Sequence, residues 1–202
     1  MCGAAIAGGQ SRRYGSPKSF ALVGGRMLIE RVLDALRGAS DEQVIIANVP
    51  HDYERFRLPV RADTLQGAGA VAGIHAALLH ARERECEGIV ALACDMPFPS
   101  PLLLRALVAH ARASNAQVGA PESDGPRGIE PMCAYYATTC IEPIEQAVAR
   151  GDLRVIGFHA DVRVAVLPTA DVARCGDPHR MFMNVNTPDE RARAEALAAA
   201  EP

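Results

Sequence analysis

Short apolar runs alternate with stretches of helical period from one end of this chain to the other, the pattern of βα units laid around a mostly parallel sheet. CGAAIAG (2–8) reads as a buried first strand, and Met27 to Leu36 as a helix with Leu28, Ile29, Val32, Leu33 and Leu36 on one face. QVIIAN (43–48), a short run near Leu58 to Arg61 and GIVALAC (88–94) supply further strands. Between the last two, a helix over Val71 to Arg84 turns Ile74, Ala77, Leu78 and Ala81 inward. Ser100 and Pro101 form an N-cap and N1 pair for a helix through Ala111, since proline's missing N–H costs nothing there. QVGAP (117–121) and MCAYYA (132–137) read as strands joined by the loop ESDGPRGIEP, followed by a helix over 139–150 and a strand over Val162 to Leu167. Thr187, Pro188 and Glu190 make a capping box for the last helix, whose alanine-rich tail is expected to fray beyond Leu197. No linker or internal repeat interrupts the pattern. The expectation is one α/β domain over residues 1–202, a Rossmann-like three-layer sandwich.

Bulk properties exclude several function classes. The 202 residues suffice for a large core, and 49% hydrophobic with 22% charged residues describes a soluble globule. No stretch reaches the roughly 18 apolar residues of a membrane helix, and the N-terminal apolar run precedes its charges, the reverse of a secretory signal. No membrane partner is expected, and the location expected is the cytoplasm. A net charge of -3 argues against a nucleic-acid footprint. Six cysteines stand singly without a CxxC pair, so free and mostly buried thiols are expected rather than a zinc or redox site. The six histidines show no metal spacing and read as surface or core residues.

Lys18 is the only lysine; every other member of the 21 Lys+Arg residues is arginine. It lies in AGGQSRRYGSPK, which follows the first strand and precedes a helix, the usual place for a phosphate site in an open α/β sheet. Glycine lets backbone N–H groups approach an oxyanion, and Arg12, Arg13 and Lys18 supply charge; the spacing fits neither GxxxxGK[ST] nor GxGxxG. A compact ammonium kept in an arginine-rich chain points to a phosphate contact, the alternative being a solvated basic turn. In CDMPFPSP, Asp95 leaves the fourth strand at its carboxyl end, where a hard oxygen ligand anchors Mg²⁺ or simply caps a turn. Cys94 beside it reads as strand filling rather than as a nucleophile. Asp63 opens DTLQGAGAVAG, whose glycine spacing misses the dinucleotide fingerprint; its carboxylate can accept from N1 and N2 of a guanine, or form a turn. Asn184 and Asn186 in NVNTPDE can serve phosphate, metal or pterin, or satisfy loop backbone.

In order along the chain, IAGGQSRRYGSPK, Asn48, Asp63 with GAGAVAG, CDMPF and NVNTPDE resemble the blocks of the molybdenum cofactor guanylyltransferase family. The resemblance spans nearly the full chain. It implies a nucleotide-diphospho-sugar-transferase-like fold and transfer of GMP from GTP to molybdopterin with Mg²⁺, releasing pyrophosphate. It further implies that Ile6, Ala7, Gly8 and Gly9 contact the guanine nucleotide, that Lys18, Arg12 and Arg13 neutralise its phosphates, and that Asn48 and Asp63 hold ribose and base. Asp95 would bind Mg²⁺ and nucleotide; for the pterin the candidates are Asn184 and Asn186, on their amide chemistry rather than on the resemblance. Transient contacts with molybdopterin-synthesis proteins and molybdoenzyme chaperones belong to the same picture. Two departures stand out: Pro17 replaces the family's usual Asp in a loop one residue shorter, and Ala70 replaces the proline of GPLAG. The rival readings are a cytidylyltransferase using CTP, whose relatives read LAAG where this chain has IAGG, and a non-catalytic nucleotide-binding accessory protein.

Overall fold

Five successive buried residues, Cys2–Ile6, form β1. Their side chains alternate between two apolar cores, Ala4 and Ile6 facing one and Ala5 the other, as a strand covered on both faces requires. The computed structural model describes residues 1–8, 17–65 and 67–200. Parallel neighbours flank β1: β4 (Glu42–Ile46) on one side and β6 (Gly88–Ala93) on the other. With β5 (Val60–Arg61), β7 (Val118–Pro121), β8 (Cys133–Ala137) and β9 (Val164–Leu167) they build one sheet in the order β5-β4-β1-β6-β8-β7-β9. Only β8 runs against its neighbours β6 and β7, so every other strand points the same way.

Helices cover both faces, giving the expected three layers and mostly parallel sheet. On one face α2 (Ala70–Glu83) and α4 (Ile141–Ala149) pack against the sheet, with Ile74, Ala77, Leu78 and Ala81 of α2 fully buried. On the other lie α1 (Leu28–Arg37) and α3 (Pro101–Ala113), the latter capped by the Ser100 hydroxyl accepting from Leu103 N–H at 3.3 Å. The five apolar residues assigned to one face of α1 are all buried.

Three features go beyond or against the sequence expectation. A two-residue hairpin, β2 (Leu22–Val23) and β3 (Arg26–Met27), precedes α1 and turns on Gly24 and Gly25 at φ 59° and 72°. Short helices α5 (Thr169–Ala173) and α6 (Pro178–Met181) follow β9. The final helix, α7 (Pro188–Ala199), continues past Leu197 instead of fraying. Its end is held because Ala194 and Ala198 pack against Val23 and Leu28, Glu195 accepts from Gly24 N–H at 2.8 Å, and Arg191 donates to the Leu22 carbonyl at 3.2 Å. Among the described residues no helix is long and apolar enough to cross a membrane.

Candidate active site

The strand order reverses direction at β1: the chain moves outward to β4 and β5, then returns to place β6 on the other side. The carboxyl ends of β1 and β6 therefore stand at a switch point of the sheet, the position where open α/β sheets take ligands. Ile6 ends β1, and the ladder continues one step as Ala7 N–H donates to the Ile46 carbonyl at 2.9 Å. Gly9, Arg12 and Arg13 lie outside the described residues.

The chain re-enters at Pro17, which opens a single 3₁₀ turn over Lys18–Phe20. That turn is closed by Phe20 N–H to the Pro17 carbonyl at 3.0 Å and anchored by the buried Ser19 hydroxyl against the Tyr53 hydroxyl at 2.8 Å. Lys18 Nζ then donates to Asp95 Oδ2 at 3.0 Å and to Asn186 Oδ1. Three stretches separated by 77 and 168 positions thus converge on one ammonium. Lys18 and Asp95 keep 21% and 29% of their side chains exposed, enough for a ligand to reach them.

Asn186 owes its place to the start of α7. Its N–H and that of Thr187 both donate to Glu190 Oε2, at 2.7 and 2.9 Å, while Glu190 N–H donates to the Thr187 hydroxyl. The Asn186 N–H is the chief reason the Glu190 carboxyl sits below its usual range. One step earlier, Val185 N–H donates to the Asp95 carbonyl at 2.9 Å, tying this segment to the end of β6. Asn184 turns away: its amide donates to the Phe182 carbonyl at 3.3 Å, so of the two asparagines only Asn186 touches the cluster.

Asn48 and Asp63 form a second pair. The Asn48 amide donates to Asp63 Oδ2, and Asp63 N–H donates to Asn48 Oδ1, both at 2.9 Å. Asp63 Oδ1 is buried and has no hydrogen-bond partner among the described residues. It lies against Gly8 and Gly73: a Cβ built on either would stand 3.8 or 3.7 Å from it. Gly73 is the tighter position, since its Cβ would also come within 3.0 Å of Ile6 Cγ2, so a side chain there would push Ile6 aside by a few tenths of an ångström. Gly67 and Gly69, at φ 76° and 61°, turn the chain from Asp63 into α2.

Glu130, which no sequence motif singles out, joins the site from the segment between β7 and β8. Because β8 is reversed, its first residue lies at the carboxyl ends of β6 and β7, and Ala93 N–H donates to the Met132 carbonyl there at 2.9 Å. Glu130 folds back onto the Met132 N–H at 3.1 Å, beside Asp95. Burial pushes its carboxyl up and the Asp95 charge adds to that, while the Met132 N–H and Arg127 pull it down. An acid before a proline at the mouth of a strand was the available signal. Cys94 is buried and its thiol is pushed far up by burial, which agrees with strand filling rather than nucleophilic use.

Among the described residues no three His, Cys, Asp or Glu side chains group as a metal site. The Asp95 carboxylate with the Asn186 carbonyl oxygen nevertheless suits a small hard cation, which takes one or two protein oxygens and completes its shell from phosphates and water.

Residues 3–163 match the model of the MobA-like NTP transferase domain. A molybdenum cofactor guanylyltransferase from Desulfosudis oleivorans is 33% identical over 202 residues, covering 99% of this chain and 96% of that protein. A probable molybdenum cofactor guanylyltransferase from Pelotomaculum thermopropionicum is 33% identical over 97% of this chain and 92% of its own length. Among solved structures, molybdopterin-guanine dinucleotide biosynthesis protein A from Archaeoglobus fulgidus superposes with a TM-score of 0.82 at 28% identity, each chain covered in full. The 2-C-methyl-D-erythritol 4-phosphate cytidylyltransferase of Thermus thermophilus, at 19% identity and TM-score 0.63 over 98% of both chains, shares the fold.

Proposed function

Because the chain belongs to the MobA-like NTP transferase family and is a nucleotidyltransferase, we propose that it moves GMP from GTP to molybdopterin in a Mg²⁺-dependent reaction. All 202 residues would act as one catalytic domain, in the cytoplasm, handing the product to molybdoenzyme chaperones. The observation that carries the reading is the convergence of Lys18, Asp95 and Asn186 at the carboxyl ends of β1 and β6. A phosphate oxygen of molybdopterin attacks the α-phosphorus of GTP, the bond to the bridging oxygen of the β-phosphate breaks, and pyrophosphate leaves. No protein nucleophile is needed, so the chain acts through positioning and charge.

In this reading Lys18 exchanges its present partners for phosphate oxygens, with Arg12 and Arg13 adding positive charge. Asp95 and Asn186 would hold Mg²⁺, which when bound neutralises phosphate charge. Ile6 to Gly9 would line the nucleotide, Asn48 would orient Asp63, and the Asp63 carboxylate, whose buried Oδ1 has no partner among the described residues, would accept from the N1 and N2 hydrogens of guanine. Asn186 would face the pterin side, and Asn184 would join it only by leaving the Phe182 carbonyl.

Incubation with GTP labelled at its α-phosphate, Mg²⁺ and molybdopterin tests the proposal. Label is expected in the pterin product, with stoichiometric pyrophosphate. Lys18→Met or Asp95→Ala should lower the rate by about 100-fold or more, the scale of losing a charge aimed at the reacting phosphate. Near-normal transfer by either variant sinks the phosphate and metal roles of Lys18 and Asp95, and faster transfer from CTP than from GTP overturns the base.

A further inference from the structure

We propose that His75 is a positioning residue for nucleotide-base recognition, acting through Thr64 on the segment that carries Asp63, with Glu145 of α4 fixing the imidazole. The inference rests on the reading that Asp63 accepts from the base.

Asn48 holds Asp63 from one side only, through its N–H and Oδ2. On the other side the chain continues through Thr64 toward Gly67 and Gly69, whose left-handed φ values turn it into α2. A carboxylate that must meet both the ring N1 hydrogen and the exocyclic N2 hydrogen of a base needs its backbone fixed on both sides.

The second restraint comes from inside α2. His75 has 4% of its side chain exposed, and its Nδ1 stands 2.9 Å from Thr64 Oγ1. Its Nε2 stands 3.1 Å from Glu145 Oε1. In the tautomer with its proton on Nε2, the ring donates to the Glu145 carboxylate and Nδ1 accepts from the Thr64 hydroxyl. In that tautomer the chain of hydrogen bonds runs from Thr64 to His75 to Glu145, and it orients the hydroxyl of the residue next to Asp63. Histidine burial on α2 does not enforce such pairing: His80 is equally buried, and neither of its ring nitrogens has a partner among the described residues. Thr64 is itself exposed and Glu145 keeps 51% of its side chain exposed, so the two outer bonds add little to global stability. Their effect falls on the Asp63 segment.

The discriminating pair is Thr64→Val and Thr64→Ser in the full chain. Valine keeps the shape and removes the hydroxyl, while serine keeps the hydroxyl and removes the methyl. Calorimetric Kd values for GTP and ATP, together with KM and kcat for GMP transfer, are the readouts. Thr64→Val should weaken GTP by about tenfold, the size of one lost hydrogen bond in a binding site. It should leave kcat within about twofold and narrow the GTP to ATP preference, while Thr64→Ser stays near the parent. His75→Leu should reproduce Thr64→Val where it folds, and Glu145→Ala should shift in the same direction. Unchanged GTP affinity and selectivity in Thr64→Val, or equal losses in Thr64→Val and Thr64→Ser, overturns the role of His75. A parent protein with no preference for GTP removes the base reading itself, and this inference with it.

Discussion

An ammonium on a flexible four-carbon stem can leave one set of oxygens and take up another without matching a planar fork, which an arginine at position 18 could not do as freely. Its present partners, Asp95 and Asn186, are the two oxygens suited to a cation, so in the proposed reaction nucleotide entry would reshuffle three groups at once. Gly8 marks the other end of the site. A methyl there would meet Asp63 Oδ2 at 3.7 Å and the Ile46 carbonyl at 4.0 Å, ordinary contacts, so Gly8→Ala should fold with a stability change within about 0.5 kcal/mol. The methyl would nevertheless occupy the approach to Asp63. GTP affinity is therefore expected to drop several-fold and the CTP to GTP ratio to rise, measured by nucleotide competition alongside thermal unfolding; an unchanged ratio removes Gly8 from base selection. Lys18, Asp63 and Asp95 were legible in the sequence because each sits at a strand end or glycine turn where charge is unusual. Glu130 and His75 were not, since the first depends on the direction of β8 and the second on a partner 70 positions away.

At the scale of elements, the capping box of α7 does two jobs. Glu190 satisfies the N–H groups of Asn186 and Thr187, which is ordinary helix capping, and in doing so it fixes the residue that meets Lys18. Glu190→Ala should cost about 1 kcal/mol, or roughly 2–4 °C in Tm for a chain of this size. It should also slow GMP transfer several-fold, whereas Ser100→Ala, which removes the cap of α3, should cost similar stability and leave transfer unchanged. Equal activity in the two variants would show that the box only caps. The box was readable because its residues are adjacent in sequence. The β2–β3 hairpin was not, since two-residue strands carry no period, and its role appears only through the grip of Glu195 and Arg191 on Gly24 and Leu22. Apolar runs such as MCAYYA identify a strand but are the same in either direction, so the reversal of β8 was hidden as well.

Over the whole molecule, one sheet with two apolar faces was the consequence of βα alternation, and its carboxyl edge is where separate loops collect. The same burial that holds this architecture makes one histidine sensitive to acid. His159 packs edge-on against Phe158 at 4.9 Å and beside Tyr136 at 6.4 Å, with Nε2 buried and unpartnered among the described residues. Burial lowers its pKa from the ordinary 6.5 to about 4. Between those values the unfolded chain holds a proton that the folded one does not, so stability is complete above pH 6.5 and declines as the pH falls toward 4. Allowing for solvent around a partly exposed ring, the loss is about 1–2 kcal/mol. His159→Phe keeps the aromatic packing and removes the titration. Its Tm should match the parent at pH 7.5 and exceed it at pH 5, with GMP transfer at pH 7.5 unchanged. Parallel Tm curves for the two proteins across that range would assign the acid sensitivity elsewhere, with the carboxylates held below their usual range by their partners, Asp34, Glu122 and Asp152 among them, as the next groups to replace.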